Sequence, residues 1–159
     1  MFRKLGYFLG RLFIGIIFLI SALHIIGDWQ STETELIHSL FRWNGHAKEL
    51  PSWLDIFQPA LNYAPFLLVM ATLLLLLGSI SLLFSIKPRL GAFLLLLFLL
   101  PTTLVFHPFW FFDGKERDLQ EVMFLKNLAI LGGLFLLLSF EKPGKKSTTL
   151  KNADLSEEE

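Results

Sequence analysis

Along the chain, apolar and polar positions are sorted into blocks and hardly interleaved. Four stretches, 7–26, 64–86, 90–112 and 122–140, are apolar almost throughout. Runs such as LLLLLG and LLLLFLL carry no polar stripe of the kind that turns one face of a soluble helix to water. Each stretch is close to the roughly 20 residues that an α-helix needs to cross about 30 Å of hydrocarbon. The pattern predicts an all-α fold, an integral membrane four-helix bundle over residues 1–141. A charged tail, 142–159, follows; it has no apolar period and is expected to be disordered. Only the KPR turn separates the second and third blocks, so those helices should pair as an antiparallel hairpin.

The long connection 27–63 is still partly apolar. Thr32 and Glu35 have capping-box spacing, and Leu36, Ile37, Leu40 and Phe41 then mark one face. This predicts a short amphipathic helix in the outer loop between helices 1 and 2, ending near Asn44 and Gly45. A second cluster, SWLDIF, follows Pro51, and Trp29, Trp43 and Trp53 fit as interfacial anchors.

Charge sets an orientation. Arg3, Lys4, Lys87, Arg89, Lys142, Lys145, Lys146 and Lys151 fall on one side of a four-span chain, and Arg42, Lys48, Lys115 and Arg117 on the other. The positive-inside rule then predicts that both termini are cytoplasmic. Arg3 and Lys4 ahead of an apolar block also suit a signal peptide. The block's length, Arg11 inside it and the lack of a small-residue cleavage pair favour a retained helix. The chain has no cysteine, which excludes disulfides, thiolate metal sites and dithiol chemistry by the chain itself. No phosphate-cradling glycine loop or metal-ligand set is present, so no intrinsic cofactor and no nucleic-acid partner are expected.

Ionisable groups inside apolar blocks need a physical reason, because hydrocarbon does not solvate them. Arg11 has two readings, a snorkelling anchor at cytoplasmic phosphates or an ion pair with Glu141. On a helical wheel Gly6, Gly10, Ser21 and His24 share a sector of about 60°, which predicts a close helix contact and turns His24 into the bundle. Gly78, Ser81 and Ser85 form a similar seam on the second helix, and Gly132 and Gly133 on the fourth. The segment PTTLVFHPFWFF closes the third helix. Pro101 and its threonines predict a kink, Thr103 stands one turn before His107, and 109–112 belong to an aromatic belt. Lys126 and Asn127 reach the same depth from the fourth helix. His24, Thr103, His107, Lys126 and Asn127 are therefore expected to form one recess for a quinone-like or anionic head with an apolar tail.

The segments TTLVFHPFW and FLKNLAILGG, behind a first helix reading LGRLFIGIIFLISALHI and a KPRLGAFLL start to the third, resemble the DoxX family of small bacterial four-helix membrane proteins. The resemblance runs over roughly 5–140. It marks Arg11, His107, Lys126 and Asn127; many members also carry a glutamate in helix 2, where this chain has no acid between Asp55 and Asp113. The family takes its name from a subunit of a thiosulfate:quinone oxidoreductase. With this resemblance the first expectation is a bacterial inner-membrane accessory subunit that binds quinone or membrane lipid for an oxidoreductase subunit. Lacking an electron carrier of its own, the chain is expected to supply a site and not the redox centre, more an accessory than an enzyme on its own. The competing expectation is a scaffold that recruits partners, or copies of itself as a homo-oligomer, through its small-residue faces. Catalysis by Lys126 or His107 ranks last, because no carboxylate is paired with either.

Overall fold

The computed structural model describes residues 2–47 and 57–139; Trp53 with most of the SWLDIF cluster, Glu141 and the tail 142–159 lie outside the described residues. The order is α1 (Phe2–Gly27), α2 (Trp29–Ala47), α3 (Phe57–Asn62), α4 (Ala64–Leu83), α5 (Pro88–Phe106), a 3-10 turn (Phe109–Phe111) and α6 (Gly114–Ser139). No strand occurs among the described residues. Four helical segments, Leu5–Gly27, Ala64–Leu83, Pro88–Phe111 and Gly114–Ser139, are long and apolar enough to cross a membrane.

The outer surface agrees with that solvent. Phe13, Ile16 and Ile20 on α1, Leu73 and Leu77 on α4, Phe93 and Leu97 on α5, and Leu128, Phe135 and Leu136 on α6 are all exposed. Only 17% to 33% of each spanning window is buried. An apolar belt of this extent is a liability in water and is tolerated against lipid.

Inside, Phe18, Ala22, Leu75, Leu82, Leu95, Leu99 and Leu134 form the main core. The backbones of α4 and α5 touch at Gly78 and Gly91. A Cβ built on Gly91 would lie 2.8 Å from the Gly78 carbonyl oxygen, and one on Gly78 would lie 2.7 Å from Leu95 Cγ. These two helices are the expected antiparallel hairpin, and its turn is closed by backbone geometry. Ser85 takes the left-handed conformation (φ 59°). The Ile86 N–H then bonds the Ser81 carbonyl at 3.0 Å and the Ser85 N–H bonds that of Leu82 at 3.4 Å. This is a Schellman stop with serine where glycine is usual. The Ser81 hydroxyl donates to the carbonyls of Ile86 and Lys87, and Ser81 also faces Gly91, where a built Cβ would lie 2.8 Å from its Cβ; Gly78 and Ser81 thus form the expected seam, whereas Ser85 belongs to the turn.

Other expectations about faces and ends are corrected. On α1 the buried stripe is Arg11, Gly15, Phe18 and Ala22, spaced by three or four residues. Gly6 and Gly10 would meet nothing within 4 Å if given a Cβ, whereas at Gly15 a Cβ would meet Leu83 at 2.9 Å. His24 shares the wheel sector of Gly6 and Gly10 and is exposed. The amphipathic helix is also longer than expected: α2 has 19 residues. Thr32 lies within it, donating its hydroxyl to the Asp28 carbonyl at 2.9 Å in place of capping.

Gly91→Ala is expected to force α4 and α5 apart and cost about 1–3 kcal/mol, read as a lower melting temperature in detergent. Gly132→Ala, at a site with nothing within 4 Å of a built Cβ, should be neutral or stabilising in the same assay. Ser85→Gly should raise the melting temperature, since relieving the left-handed serine is worth about 1 kcal/mol.

Candidate ligand-binding site

The end of α5 is fixed by Pro108. Proline has no N–H to give the carbonyl four residues earlier and disfavours helix in the residue before it. His107 accordingly leaves helical geometry (φ −121°, ψ 49°). Pro108 (φ −78°, ψ 72°) makes an inverse γ-turn, the Phe109 N–H bonding the His107 carbonyl at 2.9 Å. The carbonyl deprived of its donor is that of Leu104. It is taken by the Trp43 indole N–H of α2, at 3.2 Å.

That bond docks α2 across the end of the bundle, and aromatic contacts complete the clamp. The Trp43 ring meets Phe111 edge-on at 4.9 Å, His46 stacks on Phe111 at 4.0 Å, and the Arg42 guanidinium lies 4.5 Å over the Phe112 ring. The segment expected only as an aromatic belt thus holds α2 in place. Leu36 and Leu40 on the inner face of α2 pack with Ala64 and Leu68, against Ile25, Trp29, Val105 and Phe106.

Beneath this roof is a cavity of about 680 Å³ between α1, α2, α4, α5 and α6, within the size range of small-molecule sites. Its wall is mainly apolar: Phe18, Ile25, Leu36, Leu68, Leu99 and Ile130 contribute. The hydroxyls in the wall are spent on backbone carbonyls, Ser21 on Ile17 at 2.9 Å, Thr32 on Asp28 at 2.9 Å and Thr102 on Phe98 at 2.8 Å. The polar side chains left are His107, Lys126 and Asn127, all at the wall. Ile17, Lys126 and Ala129 line the cavity and are themselves exposed, so it opens sideways between α1 and α6.

Three of the five expected ligand-binding residues therefore come together. Thr103 is buried behind the wall, its hydroxyl bonded to the Leu99 carbonyl at 2.6 Å, and His24 does not line the cavity. Lys126 is exposed with its ammonium 3.3 Å from the Met123 sulfur, a weak acceptor. His107 is oriented by a residue that sequence reasoning missed: its Nδ1 is 2.8 Å from Gln120 Oε1. With Nδ1–H donating there, the other ring nitrogen is free for a ligand. Gln120 lay outside the expected fourth helix, which began at 122. The overlooked signal was Asp113, Glu116 and Asp118 ahead of the apolar block, since acids favour a helix N-terminus, and Glu116 is in the first turn of α6. No group of three metal-ligating side chains occurs among the described residues.

Arg11 lies toward the other end of the bundle, one turn beyond the Gly15–Leu83 contact. It is 9% exposed, its guanidinium carbon is 5.8 Å from both the Tyr7 and Phe8 ring centroids, and its Nε has no hydrogen-bond partner among the described residues.

Compared with known families, residues 4–140 match the model described as HR-like lesion-inducing. The chain belongs to the HR-like lesion-inducing family. This overturns the DoxX resemblance, and with it the implied kinship to an oxidoreductase subunit. Within this HR-like lesion-inducing chain the segments that carried the resemblance have local explanations. HPFW is a proline stop with its aromatic clamp, and in the NLAILGG segment Gly133 makes room for Ile14, whose Cδ1 would be 3.1 Å from a built Cβ. No curated protein and no solved structure matches the chain.

Trp43→Phe keeps an aromatic ring but strands the Leu104 carbonyl, at an expected cost of about 1–3 kcal/mol. Hydrogen exchange should speed up along α2 while α4 and α5 near Gly78 and Gly91 keep their protection.

Proposed function

We propose that this is a multi-pass membrane protein that holds an amphiphile, with an apolar tail in the cavity and a hydrogen-bonding head against His107, Lys126 and Asn127. The observation that carries this reading is the division of the cavity wall. Its hydroxyls are satisfied by the backbone, and the other polar side chains in the wall are His107, with one ring nitrogen left beside its bond to Gln120, Lys126, with only a weak sulfur acceptor, and Asn127. Quinone and membrane lipid both have the required shape. The oxidoreductase partner and the bacterial inner membrane were implied by the DoxX resemblance alone, and no geometry here supports them. The distribution of Lys and Arg supports placing both termini in the cytoplasm and α2 on the opposite side.

Full-length protein in detergent should be stabilised by an added short-chain quinone or by a lipid, read as a rise in melting temperature. Ala71→Phe, which fills the cavity from α4, should abolish that rise while keeping the ligand-free protein folded. His107→Ala with Asn127→Ala should remove most of it. An equal rise in the filled variant would exclude the cavity, and no rise with any amphiphile would favour a scaffold without a small-molecule site.

Because the chain has no cysteine, single cysteines can report topology. Gly45→Cys should react with a membrane-impermeant maleimide in intact cells and Ser85→Cys only after lysis; the reverse pattern would invert the orientation.

A further inference from the structure

A second hollow, of about 560 Å³, lies along the polar side of α2, where Gln30, Glu35, His38 and Arg42 face Phe106 and Gln120. It adjoins the apolar cavity. Phe106 lines both, and Gln120 on the polar side is hydrogen-bonded to His107 on the apolar side at 2.8 Å. One phenylalanine and one side-chain pair are thus part of what separates a polar volume from an apolar one.

The polar volume is charged in a definite order. Arg42 and His38 are one helical turn apart on the same face, and Glu35 is two turns, about 10 Å of rise, from Arg42. The Arg42 guanidinium lies over the Phe112 ring, which engages its face and leaves its N–H edge for an acceptor. The guanidinium and the carboxylate stand at the two ends with the imidazole one turn from each; guanidinium and imidazole suit a phosphate, and the carboxylate suits an ammonium or a hydroxyl.

We propose that the two hollows are one site for a phospholipid. Its phosphate rests against Arg42 and His38, its amino or hydroxyl terminus reaches Glu35, and its glycerol esters, the part of the head next to the tail, meet the polar wall of His107, Lys126 and Asn127 where an acyl chain passes into the apolar cavity. A quinone head, which carries no charge, would leave Arg42 and Glu35 unused. This inference rests on the reading of the apolar cavity as a tail site.

The test uses the full chain in detergent and three probes: phosphatidylethanolamine, diacylglycerol with the same acyl chains, and glycerophosphoethanolamine without chains. Phosphatidylethanolamine should bind about tenfold more tightly than diacylglycerol, the margin of one charge-assisted contact. Arg42→Gln and His38→Gln should each shrink that margin without weakening diacylglycerol, and Arg42→Lys should restore most of it. Equal binding of the two lipids, or a margin that survives both glutamine variants, would overturn the headgroup assignment and leave the tail site standing. If the headgroup alone binds as tightly as the whole lipid, the groove is a free phosphate site and the two-part site is wrong. If Ala71→Phe leaves both lipids bound as before, the tail site itself fails.

Discussion

A backbone carbonyl without a donor is tolerable where water can reach it and expensive where only hydrocarbon can. Pro108 creates such a carbonyl at Leu104 near the end of a spanning helix, and the chain meets the demand from 61 positions earlier, with the Trp43 indole. Much follows from this one bond. It fixes where α2 lies and hence which face of α2 roofs the bundle. The same proline that frees the carbonyl ejects His107 from the helix, so the roof and the imidazole beneath it share a cause. The opening of α6 then matters as much as its apolar half, because Gln120, six residues after Gly114, sets the plane of that imidazole.

Polar groups in the upper bundle fall into two sets with different chemistry. Hydroxyls of Ser21, Thr32, Thr102 and Thr103 are donors with a carbonyl within one turn of their own helix, and each takes it. They harden the walls and have nothing left to offer a ligand. In the cavity wall the imidazole of His107 and the ammonium of Lys126 take no such carbonyl; their partners are the side chains of Gln120 and Met123. They collect at the cavity edge, where Gln120 and Asn127, seven residues apart, fall on the same stripe of α6. That difference between short and long polar side chains is why only His107, Lys126 and Asn127, among the polar residues of a mainly apolar wall, have groups to offer a ligand.

The four spans were legible because twenty apolar residues in a row admit few alternatives, and the α4–α5 hairpin because three residues cannot form any wider connection. Faces were harder to read. Glycine is a poor guide to contact on α1, where Gly6 and Gly10 are open while Arg11 and Gly15 are buried, since a membrane helix shows hydrophobic residues on every side and offers no polar face to subtract. The pocket residues His107, Lys126 and Asn127 were found from their cost in hydrocarbon, a signal independent of faces. Gln120 and Arg42 were not, because they lie beyond the apolar blocks where a polar residue draws no attention. The DoxX resemblance has a related cause: HPFW is a helix stop and Gly133 a close approach, features that any helical bundle can need.

The cavity itself is a consequence of where the small residues sit. Among the described residues, Gly15, Gly78, Gly91 and Gly133 are the glycines at which a Cβ would meet a neighbouring helix within 4 Å, and all lie in the half of the bundle nearer the α4–α5 turn. There the helices can close on one another. In the other half the facing residues are Phe18, Phe98, Pro101 and Phe106, and no glycine allows a comparable approach. Helices pinched at one end and propped apart at the other must enclose volume between them unless something caps or fills it. A roof helix held by a stranded carbonyl caps that volume, and the exposed lining residues Ile17, Lys126 and Ala129 leave it open sideways between α1 and α6, the entry that the proposed amphiphile requires.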